Sequence, residues 1–223
     1  MRKIGLFGGT FNPIHLGHLR SAEEIRESFE LGQVIFIPAS SPPHKDKDDI
    51  LPASQRAQMV RLAIADNPRF AFSEVELRRP GKSYSVETIT HFRQQFGPDT
   101  ELYFILGLDA FLEINTWKEY AALFALCHFI VMTRPGFGKK FTPEHLPIEM
   151  AKYFCYDSQR GGYAHHSGFF VFPKEITALD ISSTQIRQNI RKHHSVKYLL
   201  PEPVETFIYQ NELYRTKESE AKG

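Results

Sequence analysis

The stretch Ile4-Gly5-Leu6-Phe7-Gly8-Gly9-Thr10-Phe11-Asn12-Pro13-Ile14-His15-Leu16-Gly17-His18 decides the fold. Ile4 to Phe7 is apolar without polar alternation, the pattern of a parallel strand covered on both faces. It runs into a glycine pair. From there Leu16, Leu19, Ala22, Ile25 and Phe29 recur at helix spacing up to Gly32, which reads as a left-handed terminator. A strand, a glycine turn and a helix make the first half of a βαβ unit.

The same order repeats along the chain. Val34 to Ile37, Leu102 to Leu106 and Phe129 to Met132 read as further buried strands. A helix is predicted from Ser54 towards Ala65, and another through Val86, Ile89, Phe92 and Phe96, ending at Gly97. The fold class is therefore α/β, a Rossmann-like doubly wound parallel sheet with helices on both faces. After about Ser182 the strand signal stops. Ile186 with Ile190, then Val204 with Phe207 and Ile208, mark a C-terminal helical extension packed on the sheet. The expected organisation is one domain over 1–215, its helical part starting near 182, followed by a charged, disordered tail over 216–223. The stretch from Gly136 to Gly168, rich in Gly, Pro and His, shows no readable pattern.

Composition narrows the function classes. At 223 residues, 42% hydrophobic and 24% charged, the chain needs neither disulfides nor a structural metal to hold a core. Cys127 and Cys155 form no C-x-x-C, which suits a reducing compartment. Met1-Arg2-Lys3 is basic, but the apolar residues after it are interrupted at Gly5, Gly8 and Gly9, and no run reaches the roughly 18 residues of a membrane span. A cytoplasmic location with no membrane partner is expected. With 27 Lys and Arg against 26 Asp and Glu, the net charge of +1 offers no field for a nucleic-acid backbone. Any anion has to be met by local groups.

In open α/β sheets ligands bind outside the carboxyl ends of the strands, so the residues following each strand matter most. Gly8 and Gly9 let backbone N–H groups approach an anion, and the helix start beyond them adds orphan donors and a partial positive charge, together a phosphate site. His15 and His18 lie on one face of the first turn, where both can donate to phosphate oxygens. As zinc ligands they lack a third partner, and no metal site is expected. The dinucleotide fingerprint G-x-G-x-x-G is absent. Gly81-Lys82-Ser83 ends like a P-loop, yet Glu76 stands where that loop needs glycine, so this segment reads as a turn before a helix.

The other strand ends carry polar residues too. Pro42-Pro43-His44-Lys45 is a stiffened loop in which Lys45 either offers a cation to phosphates or is solvated beside Asp46 and Lys47. Gly107-Leu108-Asp109 follows the third strand. Ile181-Ser182-Ser183-Thr184 opens a helix with more hydroxyls than a cap requires, and Arg187 follows one turn on, a second phosphate cradle. Trp117 is either core or a stacking platform for an aromatic ring. His165-His166 and His193-His194 read as solvent-facing loop residues.

In this order the motifs resemble the nucleotidyltransferase superfamily, with its H-x-G-H and I-S-S-T-x-x-R signatures. Ile37-Pro38, Arg56 with Met59, Glu76 to Arg79, Ser83-Tyr84-Ser85, Trp117 and Tyr198-Leu199-Leu200-Pro201 narrow it to the bacterial nicotinate-mononucleotide adenylyltransferases. The resemblance covers about Lys3 to Tyr214. Ser85 departs from the family's usual Thr, and the segment from Phe137 to Gly168 is longer than in compact members.

The resemblance implies adenylyl transfer from ATP to nicotinate mononucleotide, with Mg²⁺ on the phosphates. It implies that His18 stabilises the α-phosphate while His15 and Lys45 position the phosphates. Ser182, Ser183, Thr184 and Arg187 would hold pyrophosphate, with Gly8, Gly9, Thr10, Phe11 and Ile181 completing the ATP site and Gly107 and Asp109 on the ribose. Trp117 would stack on the pyridine ring, whose carboxylate would meet N–H groups near Ser85 and Lys118. The partners are these small molecules, with the chain a monomer or homo-oligomer. The alternatives are a phosphopantetheine adenylyltransferase, which shares the H-x-G-H region, and a nucleotide sensor without turnover.

Overall fold

A computed structural model describes residues 1–41, 50–133 and 141–215. The strands β1 (Arg2–Gly9), β2 (Gln33–Pro38), β3 (Phe70–Phe72), β4 (Thr100–Gly107) and β5 (His128–Thr133) lie in the order β3-β2-β1-β4-β5, all parallel. Four of them are the apolar runs of the sequence. β3 is three half-buried residues, too short to display a period. The helices α1 (Leu16–Ser28), α2 (Ala53–Ile64) and α3 (Ser85–Phe96), with the short α4 (Leu108–Leu112) and α5 (Tyr120–Leu123), return the chain between strands.

β1 has β2 on one side and β4 on the other, so the strand order reverses at its two edges. Phe7 stands opposite both Phe36 and Ile105, and the three strands end close together, at Gly9, Pro38 and Gly107. This is the switch point where a crevice opens in such sheets.

Beyond β5 the sheet departs from the all-parallel expectation. β8 (Phe170–Glu175) adds in parallel to β5, and β7 (Gly162–His165) and β6 (Phe154–Asp157) complete the edge in antiparallel fashion. Pro173, Lys174 and Glu175 interrupt the apolar pattern of β8, and β6 is a half-exposed edge, so neither carries a buried-strand signature. Two further expectations are corrected. His165 is not a solvent-facing loop residue but lies in β7 at 5% exposure, its Nδ1 2.8 Å from Ser167 Oγ. The left-handed residue after α1 is Glu30, at φ 54°, whereas the Gly32 N–H donates to the Lys3 carbonyl at the start of β1. Gly97 does take a positive φ, 72°, at the end of α3.

Alternation along the central strands sorts the core into two layers. On one face Phe7 and Ile105 pack with Ile25 of α1, Met59 of α2 and the C-terminal helices α6 (Ser183–Arg191) and α7 (Glu202–Gln210) through Ile186, Ile190, Val204 and Ile208. On the other, Ile4, Leu6 and Phe104 pack with Ile89 and Phe92 of α3, Phe111 of α4 and Leu123 of α5. Among the described residues no helix is long and apolar enough to cross a membrane. The expected tail over 216–223 lies outside the described residues.

Ile208 is fully buried between α7 and this first layer. Its replacement by Ala should cost about 2–5 kcal/mol. If the C-terminal helices and the sheet form one cooperative unit, urea unfolding followed by circular dichroism and by Trp117 fluorescence will show a single, earlier transition. Two separated transitions would make the helical part a domain of its own.

Candidate active site

The glycine turn is shaped from within. Phe11 takes a positive φ of 48°, and its ring folds back so that a side chain on Gly9 would meet it at 2.9 Å. The same ring is 3% exposed and packs edge-on to Phe7 and to His18, with centroids 5.8 and 5.2 Å away. Phe11 therefore offers a ligand only its backbone. Its ring supports His18 from behind.

His15 is the N-cap of α1 and His18 its third residue. The His15 N–H donates to His18 Nδ1 at 3.2 Å, so the neutral His18 ring carries its proton on Nε2. The two rings lie 3.7 Å apart between centroids, His15 buried at 3% and His18 half-buried. Gly17 makes this possible, because a Cβ there would stand 3.0 Å from His15 Nδ1.

The second cradle is joined to the first by direct hydrogen bonds. Ser183 Oγ donates to the Pro13 carbonyl at 2.8 Å, and Arg187 Nη1 donates to the Asn12 carbonyl at 3.0 Å and approaches Thr184 Oγ1 at 3.5 Å with Nη2. Ser182 caps α6, accepting the Gln185 N–H at 3.1 Å. The Ile181 carbonyl lies against Gly17. Two helix starts thus face one turn, with their donors converging on the end of β1.

Sequence reasoning passed over what holds that turn. Arg56, 1% exposed, donates to the carbonyls of Leu51, Thr10 and Ser40 at 2.9, 2.7 and 3.1 Å. Burial draws its pKa down, but a guanidinium begins so high that it stays charged. Asn12 Oδ1 accepts from the Leu51 N–H and from the hydroxyl of Tyr214, whose own pKa burial pushes up. Arg56 was legible in part, since it shares the apolar stripe of α2 with Met59, Val60 and Ala63. Nothing local signals Tyr214.

The far side of the crevice is built on β4 and α3. Asp109 folds back over Gly107, where a Cβ would stand 2.5 Å from Asp109 Oδ1. Trp117, half-buried, packs edge-on to Phe104 of β4 at 6.2 Å, so its core contact does not consume the whole ring. Lys118 Nζ donates to Glu87 Oε1 at 2.8 Å and lies 4.7 Å from the Tyr84 ring, bridging to the first turn of α3, which Ser85 opens. That bond lowers the Glu87 pKa and raises that of Lys118. Lys45 and its neighbours Pro42 to His44 lie outside the described residues.

The donors at this site are N–H groups, hydroxyls, imidazoles and guanidinium, a set suited to phosphate oxygens. Among the described residues no three His, Cys, Asp or Glu side chains group as metal ligands.

The architecture is shared with solved structures. The chain superposes with a TM-score of 0.73 and 17% identity on Plasmodium falciparum nicotinic acid mononucleotide adenylyltransferase complexed with NaAD, covering 96% of this chain and 98% of that one. A structure described as a putative nicotinate-nucleotide adenylyltransferase from Vibrio parahaemolyticus matches at 0.63 and 16%, covering 96% of each. Residues 6–189 match the cytidylyltransferase-like family, and the chain belongs to this family of nucleotidyltransferases. Over 212 residues it is 49% identical to a "Probable nicotinate-nucleotide adenylyltransferase" of Geotalea uraniireducens, covering 95% of this chain and 98% of that one. A relative of the same name in Syntrophotalea carbinolica is 47% identical over 216 residues, covering 97% and 99%. Within the family the chain belongs with the nicotinate-nucleotide adenylyltransferases.

Gly17→Ala tests the packing of the paired histidines. The added methyl presses the His15 ring aside by a few tenths of an ångström, so turnover should fall, by less than the about 10²-fold that a misplacement of about 1 Å costs. Because Ala is the better helix former, the thermal midpoint should not fall. Unchanged turnover would remove the His15 ring position from the requirements of the site.

Proposed function

We propose that the protein transfers the adenylyl group of ATP to nicotinate mononucleotide, releasing pyrophosphate and forming nicotinate adenine dinucleotide. The observation that carries this reading is the bonding of the α6 start to the turn after β1, through Ser183 to Pro13 and Arg187 to Asn12. It brings two helix starts to one turn, an arrangement that suits a reaction between two phosphate compounds.

The chemistry asks little of the protein beyond alignment. An oxygen of the mononucleotide phosphate, already anionic, attacks the α-phosphorus of ATP. The bond from that phosphorus to the bridging oxygen breaks, and pyrophosphate leaves with the electron pair. No base and no covalent intermediate are required, so positioning and charge stabilisation supply the catalysis. We propose Mg²⁺ as the divalent cation, held by the triphosphate oxygens, where it would spread the charge of the departing pyrophosphate.

In this reading His18 Nε2–H donates to the α-phosphate as charge builds there, its proton kept on that nitrogen by the His15 N–H at Nδ1. His15 orients His18 and, with Lys45, positions the phosphates. Backbone N–H groups along Gly8, Gly9, Thr10 and Phe11 receive ATP oxygens. Ile181, Ser182, Ser183 and Thr184 line the pyrophosphate cradle, closed by Arg187. The single hydroxyl proton of Ser183 goes to Pro13 and orients the loop, so Ser183 would meet the pyrophosphate through its backbone N–H. Gly107 and Asp109 take the adenosine ribose. Trp117 stacks on the pyridine ring, and the N–H groups of Ser85 and Lys118 receive its carboxylate. An amide would aim its own donors at theirs, which favours the acid.

Pyrophosphate release with ATP and Mg²⁺ tests the reading against nicotinate mononucleotide, nicotinamide mononucleotide and phosphopantetheine. Release with phosphopantetheine alone would overturn it, and release with none of the three would favour a nucleotide sensor. His18→Ala should lower kcat by about 10²-fold or more, as for loss of a transition-state donor. Near-normal turnover would exclude His18 from catalysis. Trp117→Ala should chiefly raise KM for the mononucleotide, while an unchanged KM in a destabilised protein would assign Trp117 to the core.

A further inference from the structure

A buried carboxyl stands directly behind the start of α3. Glu76 is 8% exposed, and Thr88 Oγ1 donates to its Oε1 at 2.8 Å. Nearby, Ser83 Oγ accepts the Ser40 N–H at 3.0 Å. Ser40 is in turn the residue whose carbonyl Arg56 holds. Hydrogen bonds therefore run from the turn after β1 through Arg56 and Ser40 to Ser83, and Glu76 holds the first turns of α3 through Thr88.

The start of α3 is unusual in one respect. Its N-cap is Tyr84, with φ −107° and ψ 126°, and no side chain caps it. A Ser, Thr, Asp or Asn cap would occupy the helix-start N–H groups, which are the donors a ligand carboxylate needs. Ser83, one residue earlier, turns its hydroxyl oxygen to the Ser40 N–H instead. Anchoring is thus moved one layer behind the donors, which keeps the turn in place without consuming them.

We propose that Glu76 is a positioning residue that sets the preference for an acid over an amide on the pyridine ring, by fixing Tyr84-Ser85 through Thr88, whose own N–H donates to the Tyr84 carbonyl at 3.2 Å. This rests on the reading in which the N–H groups of Ser85 and Lys118 receive the ring carboxylate. Donor-only recognition discriminates only while the donors cannot turn aside, because a mobile turn would rearrange to accept the amide. The charges around it agree. Arg79 lies beside Glu76 but is turned to Glu87 and Thr88, each at 3.4 Å, so among the described residues no cation pairs with Glu76 directly. Burial raises the Glu76 pKa.

The test is steady-state turnover of wild type, Glu76→Ala, Glu76→Gln and Thr88→Val with each mononucleotide, alongside thermal unfolding. Ile208→Ala, distant from the site, serves as a destabilised control. Glu76→Ala should lower the acid-to-amide ratio of kcat/KM by about tenfold, through the KM of the acid, with KM for ATP within about twofold of wild type. Glu76→Gln, which keeps an acceptor for Thr88, should restore most of the ratio. A folded Glu76→Ala with an unchanged ratio, or with equal losses for both mononucleotides and ATP, overturns the proposal. Should Glu76→Ala fail to fold, Thr88→Val decides, since it is near-isosteric and removes one bond to the carboxyl. A fall in its ratio supports the role of Glu76 and an unchanged ratio ends it. Wild type that turns over acid and amide equally well would overturn the carboxylate pocket itself, whereas a wild-type preference kept by Glu76→Ala overturns only the part given to Glu76.

Discussion

A guanidinium buried beneath the phosphate turn is the interaction on which the site depends. Moving the Arg56 cation out of water costs several kcal/mol even after relaxation. Three carbonyl acceptors, each worth about 1.5–3 kcal/mol to a charged donor, bring the exchange near balance. The result is geometry more than stability. Leu51, Thr10 and Ser40 belong to separate segments, and one rigid fork sets all three. Peptide groups are planar and trans, so turning the Thr10 and Ser40 carbonyls towards Arg56 turns the N–H groups of Phe11 and Ser41 away from it. A fixed positive charge under this loop also strengthens the local positive potential.

The rest of the crevice follows the same logic of anchoring from behind. Phe11 supports His18, Ser183 and Arg187 tie α6 to the turn, Tyr214 holds Asn12, and Glu76 holds the start of α3. A reaction whose nucleophile and leaving group are both phosphates needs donors held still while charge shifts among them, because reorganisation at that moment would raise the barrier. The net charge of +1 is consistent with this design. Cations gathered at one strand end can meet small anions without a basic surface.

Much of this was legible in the chain. Unbroken apolar runs marked β1, β2, β4 and β5, and helix-spaced residues marked α1, α2, α3, α6 and α7, because buried parallel strands and amphipathic helices write their period locally. The edge beyond β5 was not, since Pro173 breaks the pattern of β8 and β6 pairs on one side only. His165 was misread for the same reason: the doublet His165-His166 looks polar, and only the pairing of β7 between β6 and β8 shows that the first ring is buried. At the site, the motif residues announced themselves by following strands, while their supports did not. Arg56 and Glu76 look like ordinary surface charges until the helix stripe or the burial is known.

The sequence by itself determined the class of fold and marked the place of the candidate site, because glycine turns, helix starts and apolar periods are properties of neighbouring residues. The tertiary structure alone decided how that place is held rigid. Asn12 and Tyr214 are 202 positions apart, Pro13 and Ser183 are 170 apart, and Ser40 and Ser83 are 43 apart. Hydrogen bonds of that range leave no local pattern, since each partner is an unremarkable polar residue until folding excludes water from between them.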